Sequence, residues 1–152
     1  MYSTVLLVHS WLRWAALILG VVTTVTAFTD RGPSNAADRW SLFFMMVLDI
    51  QMLLGLLLYL VLSPITVDAL RHFGTSMQNS AVRFWAVEHV SMMLLAVVLV
   101  HVGRVLARTA RTPQSRRTRQ IVCYTIATIA MIAAIPWPGR AIGRPLFPPF
   151  HV

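Results

Sequence analysis

Four long apolar blocks dominate this chain, and they limit it to very few folds. They run from about 4 to 28, 40 to 62, 82 to 107 and 120 to 135. A helix needs ~20 residues to cross a ~30 Å hydrocarbon layer, and each block is expected to reach across, though the fourth is short. Of the 152 residues, 57% are hydrophobic and only 12% are charged, where a soluble domain carries about a quarter. The pattern predicts one integral membrane domain over 1–152, all-α, built as a four-helix transmembrane bundle.

The breaks between blocks are polar and rich in turn formers. DRGPSNAAD (30–38) holds Gly and Pro, SPITVDALRHFGTSMQNS (63–80) is a longer polar segment, and an Arg-rich stretch with Pro113 divides the last two blocks. Pro136 and Pro138 end the fourth, and the tail 136–152 is too rich in Pro to span. It is expected to lie along the outer surface or to dock on a partner. All thirteen basic residues are Arg. Six of them, Arg104, Arg108, Arg111, Arg116, Arg117 and Arg119, cluster between blocks three and four. Beside membrane spans, such a cluster marks a cytoplasmic loop near anionic headgroups rather than a nucleic-acid site. With Arg31 and Arg39 that side holds eight Arg, against Arg71, Arg83, Arg140 and Arg144 on the other. The count predicts an up-down topology with both termini outside. Trp11, Trp40, Trp85 and Trp137 lie near expected span ends. The single cysteine, Cys123, excludes an intrachain disulfide, and the N-terminus reads as a retained first helix rather than a signal peptide.

Ionisable residues inside spans are costly and mark interior or functional positions. Here they are His9 and Arg13 in the first block, Asp49 in the second, and Glu88, His89 and His101 in the third. At 1.5 Å per residue, His9 lies roughly 8 Å and His89 roughly 10 Å below the outer ends of their helices. The first and third helices of an up-down bundle are diagonal neighbours, with axes about 11–14 Å apart. That gap suits one planar macrocycle held by a His from each side, as cofactors in bundles are held. His9, Arg13, Ala16, Gly20 and Thr24 form one stripe; Trp85, His89, Met92, Met93, Ala96 and Gly103 share a face on the third helix. Arg13 points back toward the N-terminus, within reach of a propionate or of Glu88.

Other readings of these residues stand beside that one. Arg13 and Glu88 can form an interior ion pair, with His9 and His89 as hydrogen-bonding neighbours between helices. His101, roughly 18 Å deeper than His89, has no histidine at its level and is expected to snorkel with Arg104 or to bond Asp49. Asp49 and Gln51 also fit a proton or quinone site, and Asp49, Glu88 and His101 a small transporter. His72 and His151 read as solvent-facing. No HxxxH or HxxE pair occurs within a span, which argues against zinc or copper. No residue set offers a nucleophile with a base, so a stand-alone enzyme is not expected.

HSWLRW (9–14), DIQMLLGLLLY (49–59), RFWAVEHVSMMLLAVVLVHVGR (83–104) and IPWPGR (135–140) together resemble a family of small bacterial four-helix membrane proteins labelled cytochrome b-like. The likeness touches all four blocks. It implies haem b, electron transfer and a multi-pass place in the bacterial inner membrane. With the depth argument, the expectation is one bis-His haem b near the outer face. His9 and His89 would be the iron ligands, and Arg13 and Glu88 would sit beside the cofactor. Expected partners are the lipid bilayer, other membrane subunits or a homo-oligomer, with quinone a further candidate. The competing expectation is a cofactor-free subunit of a larger respiratory or photosynthetic complex.

Overall fold

The computed structural model describes residues 1–30, 36–139 and 142–147, and these contain helices and no strand. The core of the turn expected between the first two blocks, together with Arg140 and His151, lies outside the described residues. The long helices are α1 (Tyr2–Thr29), α2 (Ala36–Leu57), α6 (His89–Arg108) and α7 (Pro113–Ala134). A π-helical turn, Leu58–Leu62, extends α2, and another, Phe84–Glu88, joins the short α5 (Ser80–Arg83) to α6. Three of the resulting helices, Tyr2–Thr29, Ala36–Leu62 and Ser80–Arg108, are long and apolar enough to cross a membrane. α7 falls short because Arg116, Arg117 and Arg119 occupy its first turns.

Two expected breaks turn out to be helix starts. Pro113 is not a spacer but opens α7, and the Thr112 side chain caps it by accepting from the Ser115 amide at 3.1 Å. Proline suits that position because its missing N–H would have no helical partner there. The polar segment 63–80 is likewise mostly helical. Ser63 caps α3 (Pro64–Arg71), α4 (Phe73–Ser76) follows, and Asn79 caps α5 through the Ala81 and Val82 amides.

α1 packs on α2 and α7, and α6 also packs on α2 and α7, so the four long helices close a ring with α1 and α6 across from each other. The core is made of small residues with a few large ones between them. Ala16, Phe44, Leu48, Ala96 and Val100 are fully buried. Large apolar side chains face outward instead, with Leu53 68%, Val61 64%, Val105 61% and Ile18 60% exposed. An apolar belt of this kind has no aqueous rationale, and small interior residues let membrane helices approach closely.

One end of the ring is closed by a polar clamp. Buried Arg104 donates to the Asp38 carbonyl at 2.9 Å and to Ser41 Oγ at 2.6 Å. The Asp38 carboxylate takes Gln120 Nε2 at 2.7 Å and pairs with Arg116. Arg117 bonds the carbonyls of Ala27 and Phe28 at the end of α1, and Arg119 bonds the Leu106 carbonyl at 2.7 Å. Four of the six clustered arginines therefore sit on helices rather than in a loop and hold helix ends together.

Close approach fixes the α6–α7 seam. A Cβ on Gly103 would lie 2.7 Å from Cys123 Cβ and 3.0 Å from Tyr124 Cε1. Gly103→Ala is therefore expected to destabilise the fold by about 1–3 kcal/mol, as overpacking does. Gly74→Ala, with nothing within 4 Å of its Cβ position, should be neutral. Thermal unfolding of both variants in the same detergent checks the difference.

Candidate functional site

The opposite end of the ring holds the two histidines. His9 and His89 face each other across the bundle with ring centroids 6.4 Å apart and planes at 64°. They are level, and both are directed inward. No hydrogen bond joins them. His89 Nδ1 lies 2.9 Å from the Ala134 carbonyl at the end of α7, so it carries the proton and leaves Nε2 with a lone pair. Phe84 and Trp85 pack against the same ring at 5.9 and 5.6 Å.

His9 is held by α2. Gln51 Nε2 donates to the His9 carbonyl at 3.0 Å and lies 3.2 Å from His9 Nε2. An amide N–H can only donate, so His9 Nε2 is the acceptor and Nδ1 carries the proton. Both imidazoles thus share one tautomer. His9 Nδ1, Gln51 Oε1 and Arg13 Nε are buried and have no hydrogen-bond partner among the described residues. Gly55 makes room for the ring, since a Cβ there would meet His9 Cε1 at 3.2 Å. That gives the glycine in DIQMLLGLLLY a physical reason.

Two cavities flank the histidine pair, and Gln51, Trp85, Met93 and Arg144 line both. One, of ≈ 80 Å³, extends along α2 past Gly55 and Tyr59 to Ser63 and Thr66. The other, of ≈ 60 Å³, extends toward α7 past Arg13, Ala16, Met131 and Ala134. The π-helical turns wall off the first. Tyr59 donates from its hydroxyl to the Ala86 carbonyl at 2.8 Å, and Thr66 donates to the Tyr59 carbonyl at 2.8 Å. Each π turn therefore contributes to one cross-helix bond beside the cavity, where such turns are often found.

The tail folds back over this end. Arg13 Nη2 and Trp14 Nε1 both donate to the Leu146 carbonyl, at 2.9 and 3.1 Å, and Phe147 stacks on Trp14 at 5.2 Å. The Arg144 amide bonds the Pro136 carbonyl at 3.1 Å, and its guanidinium sits 4.4 Å from the Trp85 ring centroid. The residues 142–147 therefore dock on their own chain.

The four expected site residues part company here. His9, His89 and Arg13 converge. Glu88 does not join them; it is about half exposed, pairs with Arg83 at 3.0 Å and lines neither cavity. Arg13 bonds the tail rather than Glu88. Sequence reading overlooked Arg144, counted there only as an outer charge. Asp49 and His101 do meet, at 3.5 Å, on the outer face of α2 and α6. Among the described residues no three His, Cys, Asp or Glu side chains gather as a metal group.

Comparison of the chain with protein-family models, curated proteins and solved structures gave no match.

The docked tail gives a direct test. Phe147→Ala removes a stacked pair worth about 0.5–1.5 kcal/mol beyond its buried area. It is expected to speed limited proteolysis within the tail severalfold while leaving cleavage elsewhere unchanged. Quantified fragment mass spectra over time report both.

Proposed function

We propose that the chain is a multi-pass protein of a bacterial inner membrane that holds one haem b between His9 and His89 and transfers electrons. The observation that carries this reading is the spacing of the two rings. A metal bound to two imidazoles at about 2 Å each, with each ring centre about 1 Å beyond its nitrogen, separates the centres by about 6 Å. The 6.4 Å between the rings meets that value, and the Gln51 amide, 3.2 Å from His9 Nε2, is the group that would have to yield. A two-histidine set is sufficient for haem, because the macrocycle brings its own four nitrogens; the missing three-residue metal group does not bear on it.

The donor chemistry fits as well. His89 Nε2 has a free lone pair, and its Nδ1–H is fixed by the Ala134 carbonyl, as the outer partner of a metal-bound histidine usually is. His9 offers Nε2 in the same tautomer. Metal binding there displaces one Gln51 hydrogen bond, while the bond from Gln51 to the His9 carbonyl keeps the ring attached to α2. Arg13 and Arg144 both line the cavity toward α7 and place positive charge beside the pair, suited to propionates. The cavities lie toward α2 and α7, the two directions in which a plate between α1 and α6 extends. Haem held by His9 and His89 would supply a one-electron couple, and ligation by two imidazoles would favour electron transfer over oxygen binding. In this reading α7 is the fourth span, the helices run up and down, and both termini lie outside with the histidines near the outer face.

A cofactor-free subunit of a larger complex is the second reading. It is favoured by the modest cavities and by the Gln51 amide on His9 Nε2.

A reduced-minus-oxidised spectrum of protein purified from a haem-replete host separates the two. The haem reading expects a sharp b-type α-band that His9→Ala and His89→Ala abolish and Glu88→Gln leaves intact. A folded, colourless protein would refute it.

A further inference from the structure

The Asp49–His101 pair lies well away from the histidine site and faces outward. Asp49 is thirteen residues from either end of Ala36–Leu62, so about 20 Å of helix separates it from each. Its side chain is 40% exposed and that of His101 45%. One turn away on the same helices are the exposed side chains Met46, Leu53, Val98 and Val105. In a bilayer, this acid–base pair opens onto lipid.

Its hydrogen bonding is incomplete. His101 Nδ1 donates to the Val97 carbonyl at 2.9 Å, so a proton on Nε2, or one on Asp49, must lie between the ring and the carboxylate. The His101 Nε2 to Asp49 Oδ2 distance is 3.5 Å, longer than the 2.7–2.9 Å of a strong charge-assisted bond. No other described residue donates to Asp49. A carboxylate offers about four lone-pair sites, and hydrocarbon offers no donor to fill them. Unmet acceptors in such surroundings are costly.

The geometry points to a binding site for the head of a lipid-soluble hydroquinone at this seam. The occupant must donate an O–H, must be apolar elsewhere, and must carry its polar head through the hydrocarbon layer. A phospholipid headgroup stays at the interface and cannot reach Asp49. A second copy of this chain would bring His101 along with its own carboxylate, and chain-to-chain adducts are the outcome of the test that would report it. A hydroquinone ring with an isoprenoid tail meets all three requirements. With the proton on His101 Nε2 and Asp49 ionised the site also discriminates, since the oxidised quinone has only acceptors and gains nothing from the open carboxylate oxygens. The inference requires the chain to lie in a bilayer and does not depend on haem. Should haem be present, the site sets a reductant on the same helix as His89.

The test uses the full chain in nanodiscs, kept reduced, with a hydroquinone bearing a diazirine on its tail. After irradiation, peptide mass spectra are expected to show adducts concentrated on α2 and α6 around Asp49 and His101. Unmodified hydroquinone should displace them, and its dimethyl ether should not. Asp49→Leu should lower labelling about tenfold, the effect of losing one hydrogen bond to a charged group. His101→Leu, which leaves the carboxylate in place, serves as a second variant and should also reduce labelling, and unfolding temperatures confirm that both variants fold. Labelling spread evenly over all outward faces, equal displacement by the ether, or chain-to-chain adducts at this seam would each overturn the assignment. The haem spectrum is read separately, so failure of one reading leaves the other standing.

Discussion

Inside a hydrocarbon layer, a polar side chain must find its partner within the protein. That constraint organises this molecule. At one end it is met for the charged members of the clamp, while the buried Tyr124 and Thr23 hydroxyls lack a partner among the described residues. Arg104, Arg116, Arg117 and Gln120 converge on Asp38, Ser41 and the last carbonyls of α1, so these four side chains are bonded within the chain. Removing one member would leave a partly buried charge without its partner, which costs far more than the bond itself is worth. The clamp therefore fixes the register of α1, α2, α6 and α7 at that end.

The other end obeys the rule only in part. Leu146 accepts from Arg13 and Trp14, Ala134 from His89, and Ala86 from Tyr59. Yet His9 Nδ1, Gln51 Oε1 and Arg13 Nε are buried without described partners around a pair of cavities. The two ends differ in kind: the open groups at the clamp end are single hydroxyls, whereas here an imidazole, an amide and a guanidinium are open together beside the cavities. Unsatisfied polar groups beside free volume belong where a ligand binds.

Much of this was legible in the residues. The apolar blocks announced their helices, and the shared depth of His9 and His89 followed from counting residues along two helices that start at the same end. The small stripe of Ala16, Gly20 and Thr24 packs as its spacing implied: Ala16 and Gly20 are buried and Thr24 lies 3.3 Å from Thr128. The expected Asp49–His101 contact also forms. Other features depend on tertiary partners and leave little trace in sequence. The π turns at Leu58–Leu62 and Phe84–Glu88 are paired through Tyr59 and Ala86, residues 27 positions apart. Arg144 docks only because the tail reverses at Pro136. The helices within 63–80 and the early start of α7 were readable from Ser63-Pro64 and Thr112-Pro113, each a capping residue followed by proline. Polar composition masked both signals.

The central proposal is that His9 and His89 together hold one haem iron. Electron paramagnetic resonance of the oxidised, haem-loaded protein tests it most directly, because the iron's spin state reports the number of strong axial ligands. A low-spin ferric signal in the intact chain, converting to high-spin when either histidine alone is replaced by alanine and haem is retained, is the predicted result. A high-spin signal in the intact chain, or a low-spin signal indifferent to both replacements, would contradict the account.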